Sequence, residues 1–308
     1  MPLTTQTRGY KGRGDFVVKP RGAGRPFLLG NVTTVTEAIE VERDSRQNFR
    51  TAAGGELDVT ETVSSFTFEA TVDDITPRNI ALAFAGTAME LATGVVTDEA
   101  VSAWPSVPAA FRYIPDPAIA PVVEIAATEA PATDTAYAVG DTVLEGGRGY
   151  LCVVAGTSGS SAPSWATDLS RFTDGDVTWK DLGTVALTAD TDYTVTPHGV
   201  QLLASAEARA DGDLAIPLSV DYTRNAQWII QALVASAEEF GIDWNGLNSV
   251  DGGNPATCRY HRVKFSPTSG FSRHGGDDFS TLTISGTVLS DESIEGAGLS
   301  QFQELVMI

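Results

Sequence analysis

Few side chains in this 308-residue sequence stand at spacings that support chemistry. The three histidines, His198, His261 and His274, are widely separated, so no Ser/His/Asp relay follows from them. His261 shares a period-two face with Val263 and Phe265, which fits a partly buried structural imidazole. The GTSGS run around Ser158 lacks the GxSxG spacing, between a strand and a helix, that exposes a nucleophilic serine. Asp174/Asp176, Asp190/Asp192 and Asp277/Asp278 could offer oxygens to Ca²⁺. None has the ligand spacing and closing Glu of an EF-hand, and turn chemistry explains them better. Cys152 and Cys258 stand far apart with no CxxC pair, which predicts buried free thiols. Arg13-Gly14-Asp15 is an adhesion tripeptide by letters only, and the Asn31-Val32-Thr33 sequon has no meaning without secretion. No phosphate loop or dinucleotide motif is present. The expectation is a protein with no cofactor, no metal and no catalysis.

Charge is more informative. The formal net charge is −20, yet residues 1–25 carry Arg8, Lys11, Arg13, Lys19, Arg21 and Arg25 against Asp15 alone. A body this acidic cannot hold DNA through phosphate contacts, which need Lys and Arg. It can keep an abundant protein soluble, or lie beside DNA without binding it. The basic stretch lacks the cation density and interleaved aromatics of a DNA-binding tail. No apolar run opens the sequence as a signal peptide would, and none reaches the ~20 residues of a membrane span. Synthesis in the cytosol and no membrane partner are therefore expected.

A composition of 42% hydrophobic and 19% charged residues suits a folded chain, and abundant Thr, Val, Gly and Ser predict a mainly-β protein. Residues 1–25, rich in Gly and basic groups, read as a flexible arm. From Val35, apolar Val35, Ile39 and Val41 alternate with Glu40, Glu42 and Asp44. A second strand runs Leu57–Val72. Its apolar set shifts parity between Val63 and Phe66, which predicts a bulge near Ser64-Ser65. The two form a long hairpin with the tip DSRQNFRTAAGG. Thr76-Pro77 signals a helix start, and Ile80, Phe84, Ala81, Ala85 and Ala88 form its apolar stripe. Residues 101–132 hold six prolines, which predicts loop or edge structure. Clean alternation returns at Leu214–Tyr222, at Phe240–Trp244, at His261–Phe265 and at Leu282–Val288, the last with Thr281, Thr283, Ser285 and Thr287 facing water. The apolar stretch 225–240 could be a helix or a buried strand by its own pattern.

The order of these pieces resembles the major tail tube proteins of siphophages, the bacteriophages with long flexible tails. The likeness rests on FLLGNVTTV after the basic arm, on the long hairpin followed directly by TPRNIALAF, and on WNGLNSVDGGNP…YHRVKFSPTSGFSRHGGDDFSTLTISGTVLSD. It covers residues 1–132 and 184–308. The resemblance implies two packed antiparallel sheets in the sandwich-barrel of the tail tube and of the type VI secretion tube, with a flanking α-helix. It implies 225–240 as mainly strand, and rings, usually of six copies in that family, that stack into a tube for passing DNA. The expected partners are copies of the chain itself and the tape-measure, tail-terminator and distal-tail proteins, with the virion tail as the final location. Glu40, Glu42, Asp58, Glu61 and Glu69 are the expected lumen or rim carboxylates. Arg8, Lys11, Arg13, Arg21 and Arg25 of the arm, with Arg43, Arg46 and Arg50 of the hairpin, are the expected bridges between subunits. Deleting residues 2–25 is then expected to leave a folded monomer that no longer polymerises.

Residues 133–183 differ in texture and resemble small β-modules of phage tail and fibre proteins. Tyr137, Val139-Gly140-Asp141, Tyr150, Cys152, Gly156–Gly159, Pro163, Trp165, Asp174-Gly175 and Trp179 carry that likeness. The expected domains are thus 1–25 as arm, 26–132 with 184–308 as tube domain, and 133–183 as a module outside the tube wall. Trp165 and Trp179 could stack on sugar rings, the basis of an alternative reading as a receptor- or carbohydrate-binding virion decoration. In ~50 residues with few other large groups, the module's own core is the better use for them.

Overall fold

The computed structural model describes residues 9–50, 53–235, 238–250, 252–268, 270–271, 273 and 279–308. The chain is mainly β and antiparallel, and it divides into two compact units, 1–89 with 228–308, and 90–227.

The first unit opens with β1 (Gly12–Pro20), β2 (Phe27–Leu28), β3 (Val32–Gln47) and β4 (Glu56–Val72), then α1 (Pro77–Ala83). The chain passes through β5 (Thr87–Leu91) to the second unit, described below, and returns through β18 (Gln227–Gln231). The sheet order is β2-β1-β19-β20-β21-β4-β3, where β19 is Phe240–Asn248, β20 is Asn254–Ser266 and β21 is Leu282–Val288; β22 (Gln303–Met307) pairs with β20. β2 and β3 stand at opposite ends of this order, yet only Leu29, Gly30 and Asn31 separate them. Four residue steps reach about 14 Å, whereas seven strands laid flat would span about 29 Å. The sheet must therefore roll up, and the two expected layers are opposing halves of one continuous sheet. Its interior holds Phe16, Val18, Phe68, Ile242, Trp244, Tyr260 and Ile284. The Phe68 ring meets Tyr260 edge-on at 5.2 Å, and Phe16 lies 6.4 Å from Phe68 across the interior. Gly30 makes the crossing possible. Its φ is +83°, and a Cβ there would stand 2.1 Å from the Asp74 carboxylate, which accepts from the Asn31 N–H.

Several sequence expectations are observed. Thr76 caps α1 by accepting from the Asn79 N–H at 3.2 Å, with Pro77 first in the helix, which packs on β20 and β21. The helix ends at Ala83, so Ala85 and Ala88 lie beyond it. The β3–β4 register passes from Glu40↔Ser65 to Val41↔Val63, which leaves Ser64 as the bulged residue. Cys152 and Cys258 are buried free thiols. Residues 225–240, expected to be mainly strand, are strand only at Gln227–Gln231 and at Phe240, with a turn after Gln231, so that expectation is met only in part.

The flexible arm is a correction. Residues 12–20 form β1, paired with β19 from Gly12↔Asn248 to Pro20↔Phe240, and Phe16 and Val18 are core residues. Gly14 serves close approach rather than flexibility: a Cβ there would meet the Asn245 carbonyl oxygen at 2.3 Å. Deleting 2–25 would therefore open the core.

The second unit contains β6 (Gly94–Ala103), β7 (Pro108–Ala110), β8 (Val122–Ile125), β9 (Ala136–Tyr137), β10 (Thr142–Glu145), β11 (Arg148–Val154), β12 (Gly156–Thr157), β13 (Arg171–Asp174), β14 (Val177–Thr184), β15 (Tyr193–Thr196), β16 (Gly199–Leu202) and β17 (Ile216–Arg224). They make the sheets β6-β17-β8, β15-β16-β7, β10-β11-β14-β13 and β12-β9. The inserted body is thus larger than the expected 133–183, and residues 90–132 belong to it rather than to the tube domain. The 133–183 stretch does have sheets and a core of its own, but Leu151 and Leu182 are packed in the core of Val123, Ile125, Leu218 and Val220. Cutting out 134–182 would expose that core. The Pro-rich stretch is short strands and loops, as its composition demands.

Candidate functional site

The β3–β4 hairpin is the feature of the first unit that its own packing does not explain. From Glu40 to Gln47, about 26 Å of strand, β3 has only β4 beside it among the described residues, and every residue on it is exposed. Cross-strand pairs assign the two faces. One carries Thr34↔Thr71, Thr36↔Glu69, Ala38↔Thr67, Glu40↔Ser65, Glu42↔Thr62, Asp44↔Thr60 and Arg46↔Asp58. It continues across β21 as Thr283, Ser285 and Thr287. Between Thr34 and Asp44, and between Thr60 and Thr71, this face has no lysine or arginine. Ser65 donates to the Glu40 carboxylate at 2.9 Å, so hydroxyls and carboxylates are tied into one polar surface.

The opposite face prolongs the interior of the rolled sheet. It runs from Val35↔Ala70, Glu37↔Phe68 and Ile39↔Phe66 to Val41↔Val63, Arg43↔Glu61 and Ser45↔Val59. Ile39 is 58% exposed, Val41 49%, Val63 48% and Val59 39%. An apolar core face has been extended into water. A two-stranded ribbon is marginal alone, and among the described residues no strand pairs with the outer edge of β3, whose N–H and C=O groups stay open.

The structure sorts the sequence-predicted residues accordingly. Glu40, Glu42, Asp58 and Glu69 share the hydroxyl face. Glu61 does not: it lies on the apolar face, opposite Arg43. Arg43 is ion-paired with Glu56 of its own hairpin, and Arg46 and Arg50 are exposed near the tip. Lys11 and Arg13 stand exposed at the start of β1, Arg25 is exposed, and Arg8 lies outside the described residues. Arg21 is engaged within the chain, donating to Asp291, whose carboxyl is held far below its usual range by that hydrogen bond and by Ser293. His274, Asp277 and Asp278 also fall outside the described residues.

Trp179 is corrected as a sugar contact. It is fully buried, with Tyr137 edge-on at 4.9 Å and Trp165 at 6.1 Å. Trp165 is half-buried against Tyr150 and Phe172. The module's aromatics form its core.

Sequence reasoning missed β22. It pairs from Ala256↔Met307 to Tyr260↔Gln303 and leaves Leu305, Val306 and Met307 largely exposed. QELVM is a short apolar run without clear alternation, so only the tertiary pairing identifies it. Leu305 and Met307, with Phe16, Val35, Trp244 and Cys258, line an open cleft of ≈ 690 Å³. It lies where β1 below its pairing with β2 and the first turns of β3 face each other unpaired. At its polar end the Glu37 carboxylate accepts from the Tyr260 hydroxyl and from Gln303 Nε2 at 3.1 Å. Burial, and then the bond to Glu37, push the Tyr260 hydroxyl far above its usual pKa.

The chain belongs to the family described as Protein of unknown function UCP028589, which it matches over residues 9–146 and 164–306. No curated protein matches the sequence.

Proposed function

We propose that this protein is a structural subunit of a phage tail tube, which assembles with copies of itself into stacked rings around a channel for DNA. The observation that carries this reading is the projecting hairpin, apolar on one face, hydroxylic and acidic on the other, with a free edge. Apolar area in water is stabilised by burial at roughly 25 cal/mol per Å², and an open strand edge is satisfied by another strand. A ring of identical subunits supplies both and removes the edge by closure. The other face then lines the channel. Carboxylates and hydroxyls give phosphates no counterion-releasing partner, so DNA passes without being held. In this reading the further partners are the proteins that set tube length and close its ends, the site of action is the virion tail, and the chain performs no catalysis.

Electron microscopy of the purified chain at rising concentration tests the proposal. Rings and hollow tubes are the expected result. A protein that remains monomeric at every concentration and salt tried would overturn it.

A further inference from the structure

The first unit holds an exposed apolar knob at one rim of its rolled sheet and an apolar cleft whose Leu305 and Met307 end lies toward the other. The knob is Leu233-Val234, 67% and 61% exposed. Leu233 has φ +63°, a left-handed conformation that a bulky side chain adopts only under constraint. The constraint is visible: the Leu233 N–H donates to the Phe84 carbonyl at 3.0 Å and the Ala235 N–H to the Ala85 carbonyl at 2.9 Å, both at the end of α1. Backbone bonds thus hold two aliphatic side chains out into water. This loop precedes Phe240, at the rim where β1, β4 and β20 finish. Leu305 and Met307 sit by the first residues of β20, Met307 opposite Ala256, toward the other rim. Charge is matched locally. Glu238 is exposed near the knob, Arg13 is exposed on the cleft lining, and Lys11 is exposed two residues before it, with no ion pair among the described residues.

We propose that Leu233 and Val234 of one copy seat in the cleft against Leu305 and Met307 of a second copy, with Glu238 facing Lys11 and Arg13. A knob and a pocket on different parts of one molecule make a head-to-tail contact that does not close on itself, so it propagates as a filament. The inference rests on the self-assembly reading and deepens it by assigning the stacking contact, as distinct from the hairpin contacts that close a ring.

Leu233→Asp tests it, because Asp accepts a left-handed φ more readily than Leu and the position is exposed, so the fold is retained. Leu305→Asp is the matching change in the cleft. Each should leave rings in electron micrographs while raising the concentration needed for tubes at least about tenfold, which corresponds to a loss of about 1.4 kcal/mol per contact. The Val234→Cys, Leu305→Cys double variant should form disulfides between copies once assembled, giving a ladder of covalent oligomers. If both Asp variants form tubes at the wild-type concentration, or the cysteine pair yields no intermolecular bond in formed tubes, the contact is wrong while the tube reading stands. If the wild-type chain never associates, both fall together.

Discussion

Phe16→Ala separates the observed fold from the flexible-arm expectation. Phe16 lies in β1, which the Gly-rich, basic character of residues 1–25 would place outside the core. In the structure it is buried, 6.4 Å from the rings of both Phe68 and Trp244. Replacing a buried Phe by Ala removes the transfer free energy of the ring and leaves a void, together about 3–5 kcal/mol. Phe16 also lines the open cleft, so water can enter part of that void, which points to the lower end, about 3 kcal/mol. Local stability is best read in β19, whose residues pair with β1 from Asn248 to Phe240. Hydrogen exchange followed by mass spectrometry should show protected amides of 240–248 exchanging about a hundredfold faster in the variant, since 1.4 kcal/mol is a factor of ten. Lys19→Ala is the control. Its ion pair with Asp243 is on a largely exposed lysine, and removing it should cost less than about 1 kcal/mol. An effect of Phe16→Ala no larger than that of Lys19→Ala would mean that β1 does not hold the sheet together, and the argument from its burial would be refuted.

Asp181→Asn should destabilise the second unit by about 3–5 kcal/mol in chemical denaturation, because the fully buried carboxylate accepts from Arg148 at 2.6 Å and from the Leu169 and Gly183 N–H groups, and Asn sets a donor against them. A loss below about 1 kcal/mol would contradict that packing. Asp291 has its pKa depressed by Arg21, so its contribution is present above the unfolded carboxyl value of about 3.9 and is lost as pH falls toward the folded one. Asp291→Asn should therefore lower the denaturation midpoint at pH 7 and flatten its fall below about pH 4; an unchanged acid limb counts against the pairing. Glu40→Lys with Glu42→Lys should leave tubes intact but make them retain added DNA in a salt-sensitive way. Failure to retain DNA at low salt would place this face away from the channel.

How far the sequence reached depends on whether a signal was local. The Thr76 cap, the Ser64 bulge and the Leu282–Val288 alternation were legible because each is decided within a few residues: a hydroxyl before a proline, a parity shift, period two. The arm expectation for residues 1–25 fails at Gly14 because glycine serves both looseness and close approach, and only the partner strand, with the Asn245 carbonyl against it, tells which. The boundary at 90–227 was hidden for a similar reason. Leu151 and Leu182 look like module residues along the chain, and only their burial with Val123 and Leu218 assigns them to a larger core. β22 and the cleft beside it are long-range pairings with no local mark.

The hairpin was the most legible element and is also the least explained by one copy of the chain. In an ordinary half-buried strand, alternation of Val41 with Glu40 and Glu42 ends with the apolar set against a core. Here the alternation persists past the last interior neighbour, Phe66, through the Val41↔Val63 pair and on to Val59, broken only by the Arg43↔Glu61 pair, with both faces in water. Random surface sequence would not keep Ile39, Val41, Val59 and Val63 on one face and carboxylates and hydroxyls on the other. A pattern of that length has a physical use only if something apolar covers one side while the other stays wet. Because the apolar side is continuous with the unit's own interior, the cover that the proposed ring would supply is a different surface of a neighbouring copy, which would leave the wet side facing the channel.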